Sequence, residues 1–275
     1  MIREDYFRTF VPENVDDSVG AKVATGNEIL RITTGSELFG TSLETGDKDY
    51  MGIFVEPHEY VLGFKKLETF TYRTAPKNQR SRPGDIDLTI YSLRKFLSLA
   101  MQGNPTILAT LFAPENMIVF QDEFGEQLLN HADWIVSQRA FPRFRGYMEA
   151  QKKRLLGERK GHVPSRPELI EQFGYDTKYA MHVLRLALQG IEILNTGQIT
   201  LPMSSGHREY LTAVRRGEYS YEAILDDIEL LEARLEHAGE RSTLPEEPNV
   251  AAIEKWLYRT HMKAWGLRNS RELVR

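Results

Sequence analysis

The sequence predicts an α/β (α+β) domain over residues 1–115, followed by an all-helical domain over residues 116–275. Three observations carry this reading. Up to about Pro114, short apolar runs stop at glycine or proline and alternate with helical segments. Beyond Pro114, apolar residues recur at helical spacing and strand patterns almost disappear. The composition, 41% hydrophobic and 27% charged over 275 residues, is that of a soluble globular protein with room for one large domain or two ordinary ones.

The first strand is expected at residues 29–33, where Ile29, Leu30 and Ile32 precede Gly35. A second covers 50–55 and stops before Pro57, and a third covers 67–72. A fourth spans 85–91, where Ile86, Leu88 and Ile90 alternate with Asp85, Asp87 and Thr89 in the period of a half-buried strand. Ser92 then caps a helix over 93–102 whose apolar stripe is Leu93, Phe96, Leu97 and Ala100. Asn104 and Pro105 open another helix through 111, and Pro114 ends it. The second half is expected to hold helices at 124–138, 143–156, 177–194, 208–215, 221–238 and 250–265. Gly190, Gly197, Gly206 and Gly217 are expected to separate or interrupt these segments. The polar stretch 241–248 carries two prolines and should be a surface loop. There is no internal repeat. The boundary is a shift of composition without a flexible linker, so the two parts should share an interface.

No cysteine is present, which excludes disulfides, thiolate metal sites, iron–sulfur clusters and cysteine nucleophiles, and fits a reducing compartment. The formal net charge of −4 excludes a uniformly basic nucleic-acid coat but leaves room for a basic groove beside an acidic centre. The start MIREDYFRTFVPENVDD lacks an apolar signal core, and no apolar run reaches the ~18–20 residues of a bilayer span. These features predict a cytoplasmic protein with no membrane partner. The histidines are scattered and no HExxH occurs, so no zinc site or histidine-based catalytic set is expected.

The sharpest feature is Gly35-Ser36 followed, after ten residues, by Asp47-Lys48-Asp49. Residues two apart on a strand point to one face. Two carboxylates side by side repel unless a cation lies between them, and a hard divalent ion such as Mg²⁺ takes oxygen ligands. Gly35 removes side-chain bulk where a phosphate approaches the backbone. Ser36 offers a hydroxyl, and the amides after it are placed to open a helix toward an anion. Neither GxxxxGK[ST] nor GxGxxG is present. Asp85 and Asp87 form a second acidic pair. Asp85 follows Pro83-Gly84 and reads as a turn residue, whereas Asp87 lies inside the strand and is the better ligand. A third carboxylate beside the first pair lets two ions be held ~3.5–4 Å apart in phosphoryl chemistry. The bland alternative is a glycine turn beside a solvated acidic loop.

These residues resemble the nucleotidyltransferases of the DNA polymerase beta superfamily. That motif is Gly-Gly or Gly-Ser after a hydrophobic residue, then a short gap, Asp-x-Asp, and a third Asp on a later strand. More narrowly, several further stretches look like the predicted branch that includes RNA-ligase-associated and phage-encoded members. They are Gly40-Thr41, Gly52, Tyr91-Ser92-Leu93-Arg94-Lys95-Phe96, Gly103-Asn104-Pro105 and Gly174-Tyr175-Asp176-Thr177-Lys178-Tyr179-Ala180-Met181-His182. The matches run from about residue 30 to residue 225. Thr34 and Lys48 depart from the general pattern, which often has hydrophobic residues there.

The resemblance implies a mixed sheet with flanking helices, a nucleoside triphosphate donor, and transfer that depends on Mg²⁺, with Mn²⁺ as an alternative ion. It implies that Asp47, Asp49 and Asp87 are the catalytic and metal-binding residues, with Gly35 and Ser36 at the triphosphate. If a helix starts at Asp176 or Thr177, then Lys178, His182 and Arg185 fall at i, i+4 and i+7 on one face, with Tyr179 beside them. Spacing alone favours a solvated helix face. The resemblance instead makes this stripe a nucleotide contact, with Lys178 foremost. Tyr175 or Tyr179 either stacks on a base or belongs to the core. For the acceptor, Lys77, Arg80 and Arg82 lie in a loop before the fourth strand, and Arg94 and Lys95 follow it. Arg143 and Arg145 sit in a basic stretch interleaved with aromatic residues. An ordinary charged helix with buried aromatics is the alternative. The expected reaction moves a nucleoside monophosphate to RNA or tRNA with release of pyrophosphate. The alternatives are nucleotidylation of a protein hydroxyl, as a toxin or regulator, and an inactive nucleic-acid-binding module. Neither the transferred nucleotide nor the oligomeric state is specified by the sequence.

Overall fold

The computed structural model describes residues 19–42, 47–76, 81–82, 84–158 and 166–267. The chain enters through α1 (Val19–Gly26), β1 (Glu28–Thr33), α2 (Gly35–Phe39) and β2 (Lys48–Phe54). A short helical turn, α3 (His58–Val61), leads to β3 (Thr69–Arg73) and β4 (Ile86–Ser92). Then come α4 (Leu93–Met101), α5 (Pro105–Thr110) and β5 (Ile118–Gln121). The five strands form one mixed sheet in the order β3-β4-β2-β1-β5. Only β2 and β4 run parallel; the other pairs are antiparallel.

Strand alternation assigns the two faces of this sheet. Tyr50 and Phe54 of β2 join Leu88 and Ile90 of β4 in a small core with Ala24 of α1. Met51 and Ile53 point the other way and join the large core. Asp49 shares their parity, so it emerges on the face toward the helices. Ser92 caps α4 by accepting from the Lys95 amide, and Asn104 caps α5 with Pro105 in its first turn, as the sequence predicts.

The second half comprises α6 (Glu123–Asn130), α7 (Ala132–Ile135), α8 (Ala140–Leu155), α9 (Pro167–Phe173), α10 (Thr177–Thr196), α11 (Ser205–Arg215), α12 (Tyr221–Arg241) and α13 (Val250–Ala264). α10 is its axis, with α8, α11 and α12 packed around it. Asp176 accepts from the Lys178 and Tyr179 amides and starts α10 where the pattern places it. The large core runs without a break from Ile29 and Leu30 of β1 to Ile253 and Trp256 of α13. No helix among the described residues is long and apolar enough to cross a membrane.

Several expectations are corrected. Strands do not end at Pro114: β5 pairs antiparallel with β1 and completes the sheet from beyond residue 115. The helix expected over 124–138 breaks at His131, which ends α6 and opens α7. Gly190 does not interrupt its helix. A β-carbon there would lie 2.8 Å from Leu235 Cδ1 and 3.0 Å from Phe144 Cβ, so the missing side chain lets α8 and α12 close on α10. The helices α1, α3 and α9 fall where the sequence pattern predicts none.

Candidate active site

Asp47, Asp49 and Asp87 meet in one half-buried cluster, with one carboxylate oxygen from each lying within 4.8 Å of the others. The sheet brings them together. Asp49 and Asp87 are register partners across the parallel β2–β4 pair, so their side chains share a face. Asp47 directly precedes β2. The Thr34 amide donates to the Asp49 carbonyl at 2.8 Å and holds the start of α2 against β2. Gly35 adopts φ 64°, and a β-carbon there would overlap Asp49 Oδ2. The glycine is thus required twice, by its backbone angle and by the carboxylate beside it. Ser36 follows in the first turn of α2, half-buried.

The cluster is electrostatically strained. Burial pushes the Asp49 carboxyl up to about 6, Asp47 and Asp87 push in the same direction, and Lys178 opposes them. Asp87 is differently held: Arg73 Nε donates to its Oδ1 at 2.9 Å and Ser81 Oγ to its Oδ2 at 3.0 Å. Arg73 also donates to Ser81 at 2.6 Å, which closes a three-member network. Asp85, two residues earlier, is the turn residue its context suggests. It accepts from the Thr74 hydroxyl at 2.8 Å and the Arg82 amide at 2.6 Å.

Facing the acidic cluster is the start of α10. Lys178 lies within electrostatic reach of Asp47 and Asp49. Burial, with Arg166 and Arg215, lowers its pKa, while the two aspartates raise it. Burial and the neighbouring Arg185, Lys178, Arg166 and Arg215 hold His182 well below its ordinary value, so it stays neutral. Arg185 lies two turns along the helix. Its guanidinium sits 4.0 Å above the Phe39 ring and donates to Gln189 at 2.7 Å, and burial pushes it down to about 10. Tyr179 is buried in the large core, with Arg166 and Arg154 over its ring at 5.1 and 6.0 Å. Tyr175 is also core, donating to the Tyr219 carbonyl at 2.9 Å.

Sequence reasoning missed Arg73, Arg166 and Arg215. Arg166 pairs with Asp176 at 3.1 Å, and Arg215 at the end of α11 donates to the Thr177 hydroxyl at 3.1 Å. Both therefore converge on the first turn of α10. Arg73 is Asp87's register partner across β3–β4. No local pattern marks any of the three, because each arrives from a separate element.

The expected acceptor residues do not gather in one place. Arg82 is exposed beside Asp85, at the Asp87 end of β4. Arg94 and Lys95 follow the opposite end of that strand, where Lys95 pairs with Glu68 at 3.1 Å. On α8, Arg143 donates to the Gln102 side chain at 2.6 Å and Arg145 pairs with Glu236 at 2.8 Å. Lys77 and Arg80 lie outside the described residues.

A Gly-Ser turn packed on an Asp-x-Asp strand, a third aspartate on the neighbouring parallel strand, and a following helical half define a nucleotidyltransferase of the DNA polymerase beta class. The model of one family within it, RlaP, the RNA repair pathway DNA polymerase beta family, matches residues 19–259, and the chain belongs to that family. It is 34% identical over 94 residues to an uncharacterized 38.9 kDa protein from the nrdC-mobD intergenic region of Enterobacteria phage T4. The matched stretch is 34% of this chain and 28% of that relative. Several solved structures are similar, among them these two. Spectinomycin adenyltransferase AAD(9) from Enterococcus faecialis, with ATP and spectinomycin, has a TM-score of 0.38 at 16% identity, covering 78% of this chain and 94% of that one. A nucleotidyltransferase-like protein from Exiguobacterium sibiricum 255-15 has a TM-score of 0.27 at 12% identity, covering 88% of this chain and 77% of that one.

Proposed function

We propose that the protein transfers a nucleoside monophosphate from a nucleoside triphosphate to an RNA acceptor, tRNA included, and releases pyrophosphate. The observation that carries this reading is the cluster of Asp47, Asp49 and Asp87 facing Lys178. An all-oxygen donor set fits a hard divalent cation, so these aspartates would hold Mg²⁺ or Mn²⁺. The crowding that pushes Asp49 up is the repulsion such a cation relieves. A bound ion supplies neutralisation of the triphosphate and activation of a hydroxyl nucleophile.

The chain's own residues do the positioning. Lys178, reinforced by Arg166 and Arg215, offers positive charge to the triphosphate oxygens. Neutral His182 donates a hydrogen bond there. Arg185 acts at one remove, by holding Phe39 and with it α2. Gly35 keeps the approach to Asp49 open, and Ser36 offers its hydroxyl to a terminal phosphate. The acceptor oxygen attacks the α-phosphorus, the bond to the bridging β-phosphate oxygen breaks, and Asp87 takes the hydroxyl proton. Arg73 and Ser81 fix the Asp87 carboxylate for that role. Arg82 is the acceptor contact beside the centre, with Arg94, Lys95, Arg143 and Arg145 as more distant ones.

The family's description, an RNA repair pathway, supports the choice of acceptor. The test incubates the protein with Mg²⁺, each labelled triphosphate, and separate RNA, tRNA, DNA and protein acceptors. Label on RNA with stoichiometric pyrophosphate supports the reading. Label on protein alone, or no transfer with any acceptor, rejects it.

A further inference from the structure

The end of the sheet remote from the aspartates is closed by α13. His261 Nε2 lies 3.1 Å from Glu56 Oε2, and Trp265 Nε1 donates to the Glu56 carbonyl at 2.8 Å. Glu56 lies just past β2, seven residues from Asp49, which is ~23 Å along an extended strand. The helices α6, α7 and α13 also line an open cleft of about 460 Å³. The transfer mechanism makes no use of it.

Its walls carry four rings, Phe124, His131, Trp134 and Trp256. His131 and Trp134 are already stacked, with centroids 3.6 Å apart and planes 9° from parallel. Trp256 is buried and fixed, because its Nε1 donates to Gln127 at 3.0 Å. The rim carries Lys255, Arg259 and Lys263. These stand at i, i+4 and i+8 on α13, one cation per ~6 Å of helix axis. Lys263 is paired with Glu123 at 2.6 Å, while Lys255 and Arg259 are exposed. Among the described residues lining the cavity there is no carboxylate. Glu123, the partner of Lys263, stands at its edge, so the exposed positive charge of the rim is that of Lys255 and Arg259.

We propose that this cleft is a second, non-catalytic binding site for single-stranded RNA, in which a base stacks on the aromatic wall and the flanking phosphates meet the α13 stripe. The pairing of features selects the ligand. An apolar peptide has no use for the exposed cations Lys255 and Arg259, and an acidic peptide has none for preformed ring stacks. A single nucleic-acid strand uses both, since every base has a π-face and every linkage a negative charge. The cleft holds the body of the acceptor while its end reaches the aspartates. This rests on the RNA reading above and extends it.

The test uses the full chain and a fluorescent single-stranded RNA oligonucleotide, with single-stranded DNA and duplex RNA as comparison arms. Lys255→Glu combined with Arg259→Glu changes only exposed side chains. It should weaken single-strand binding at least tenfold and reduce the salt slope by about 1.4, the loss of two phosphate contacts at ~0.7 each. Binding of Mg²⁺ and a labelled triphosphate should be unchanged. RNA should quench tryptophan fluorescence in the parent, and less so after Trp134→Phe. If the double variant binds RNA with parental affinity and slope, the cleft assignment falls while the transfer reading stands. If nucleotide transfer fails but RNA binding still depends on Lys255 and Arg259, the transfer reading falls and the cleft stands. A dimer that dissociates on the same substitutions, with RNA affinity unchanged, would assign the cleft to a second copy and overturn the proposal.

Discussion

Gly35 occupies the space that a side chain would need beside Asp49, so the turn after β1 and the carboxylate on β2 are built against each other. Gly35→Ala forces a β-carbon into the carboxylate at a φ of 64°, which costs about 1–2 kcal/mol of backbone strain alone. The expected result is a folded protein whose transfer rate falls on the order of 100-fold, the cost of a misplacement near 1 Å. Steady-state rates beside a thermal melt check it. Parental activity in this variant would show that Asp49 needs no fixed position.

Asp85 and Asp87 sit two residues apart and should respond in opposite ways. Asp87→Asn removes a member of the carboxylate cluster and should lower the rate roughly 100- to 10,000-fold. Asp85→Asn alters only a turn, where Thr74 and the Arg82 amide are its partners, and should leave the rate within a few-fold. Equal losses in the two variants would undo the distinction between ligand and turn.

Lys178→Ala deletes the α10 cation that faces Asp47 and Asp49. A hydrogen bond to a charged group contributes about 1.5–3 kcal/mol. The apparent KM for the triphosphate should therefore rise roughly 10- to 100-fold. Competition with a non-hydrolysable triphosphate separates this from a fold defect. An unchanged KM would move the triphosphate away from α10.

The buried Glu56–His261 pair predicts a pH-dependent contribution to stability. Burial raises the Glu56 carboxyl, but the hydrogen bonds from His261, its own backbone and Ser92 outweigh it and hold the group below its ordinary 4.5. A carboxyl depressed in the folded state contributes stability that is present above its unfolded value and lost as pH falls through the folded one. His261→Ala leaves the buried Glu56 carboxylate without that hydrogen bond and should cost about 1.5–3 kcal/mol at neutral pH. The gap between parent and variant should narrow as pH falls through the range in which the Glu56 carboxyl takes up its proton. Urea melts across that range measure it; parallel curves into strong acid would contradict the assignment.

The aspartate centre was legible in the sequence because it depends on strand parity. The alternation of Ile86, Leu88 and Ile90 puts Asp87 on a fixed face, and Asp49 keeps the parity of Met51 and Ile53, with Asp47 just before the strand. The pairing of β2 with β4, which converts parity into proximity, is a long-range fact that no window of residues contains. Ile118–Gln121 stayed hidden for a related reason. A four-residue strand between a 3-10 turn and a helix has too little pattern to register, and only β1 makes it a strand. The basic stripe of α10 was visible at helical spacing, yet burial separates its members. Lys178 meets the acidic cluster, whereas Arg185 is enclosed over Phe39. Arg166 and Arg215 converge through tertiary packing alone.

The late arrival of β5 binds the fate of both halves together. A chain cut after residue 115 would strip β1 of its outer partner and leave a bare edge open to mispairing. It would also expose the apolar surface that α8 and α10 cover. The first half is therefore no exportable cassette: a fragment ending at residue 115 should be inactive and prone to aggregate.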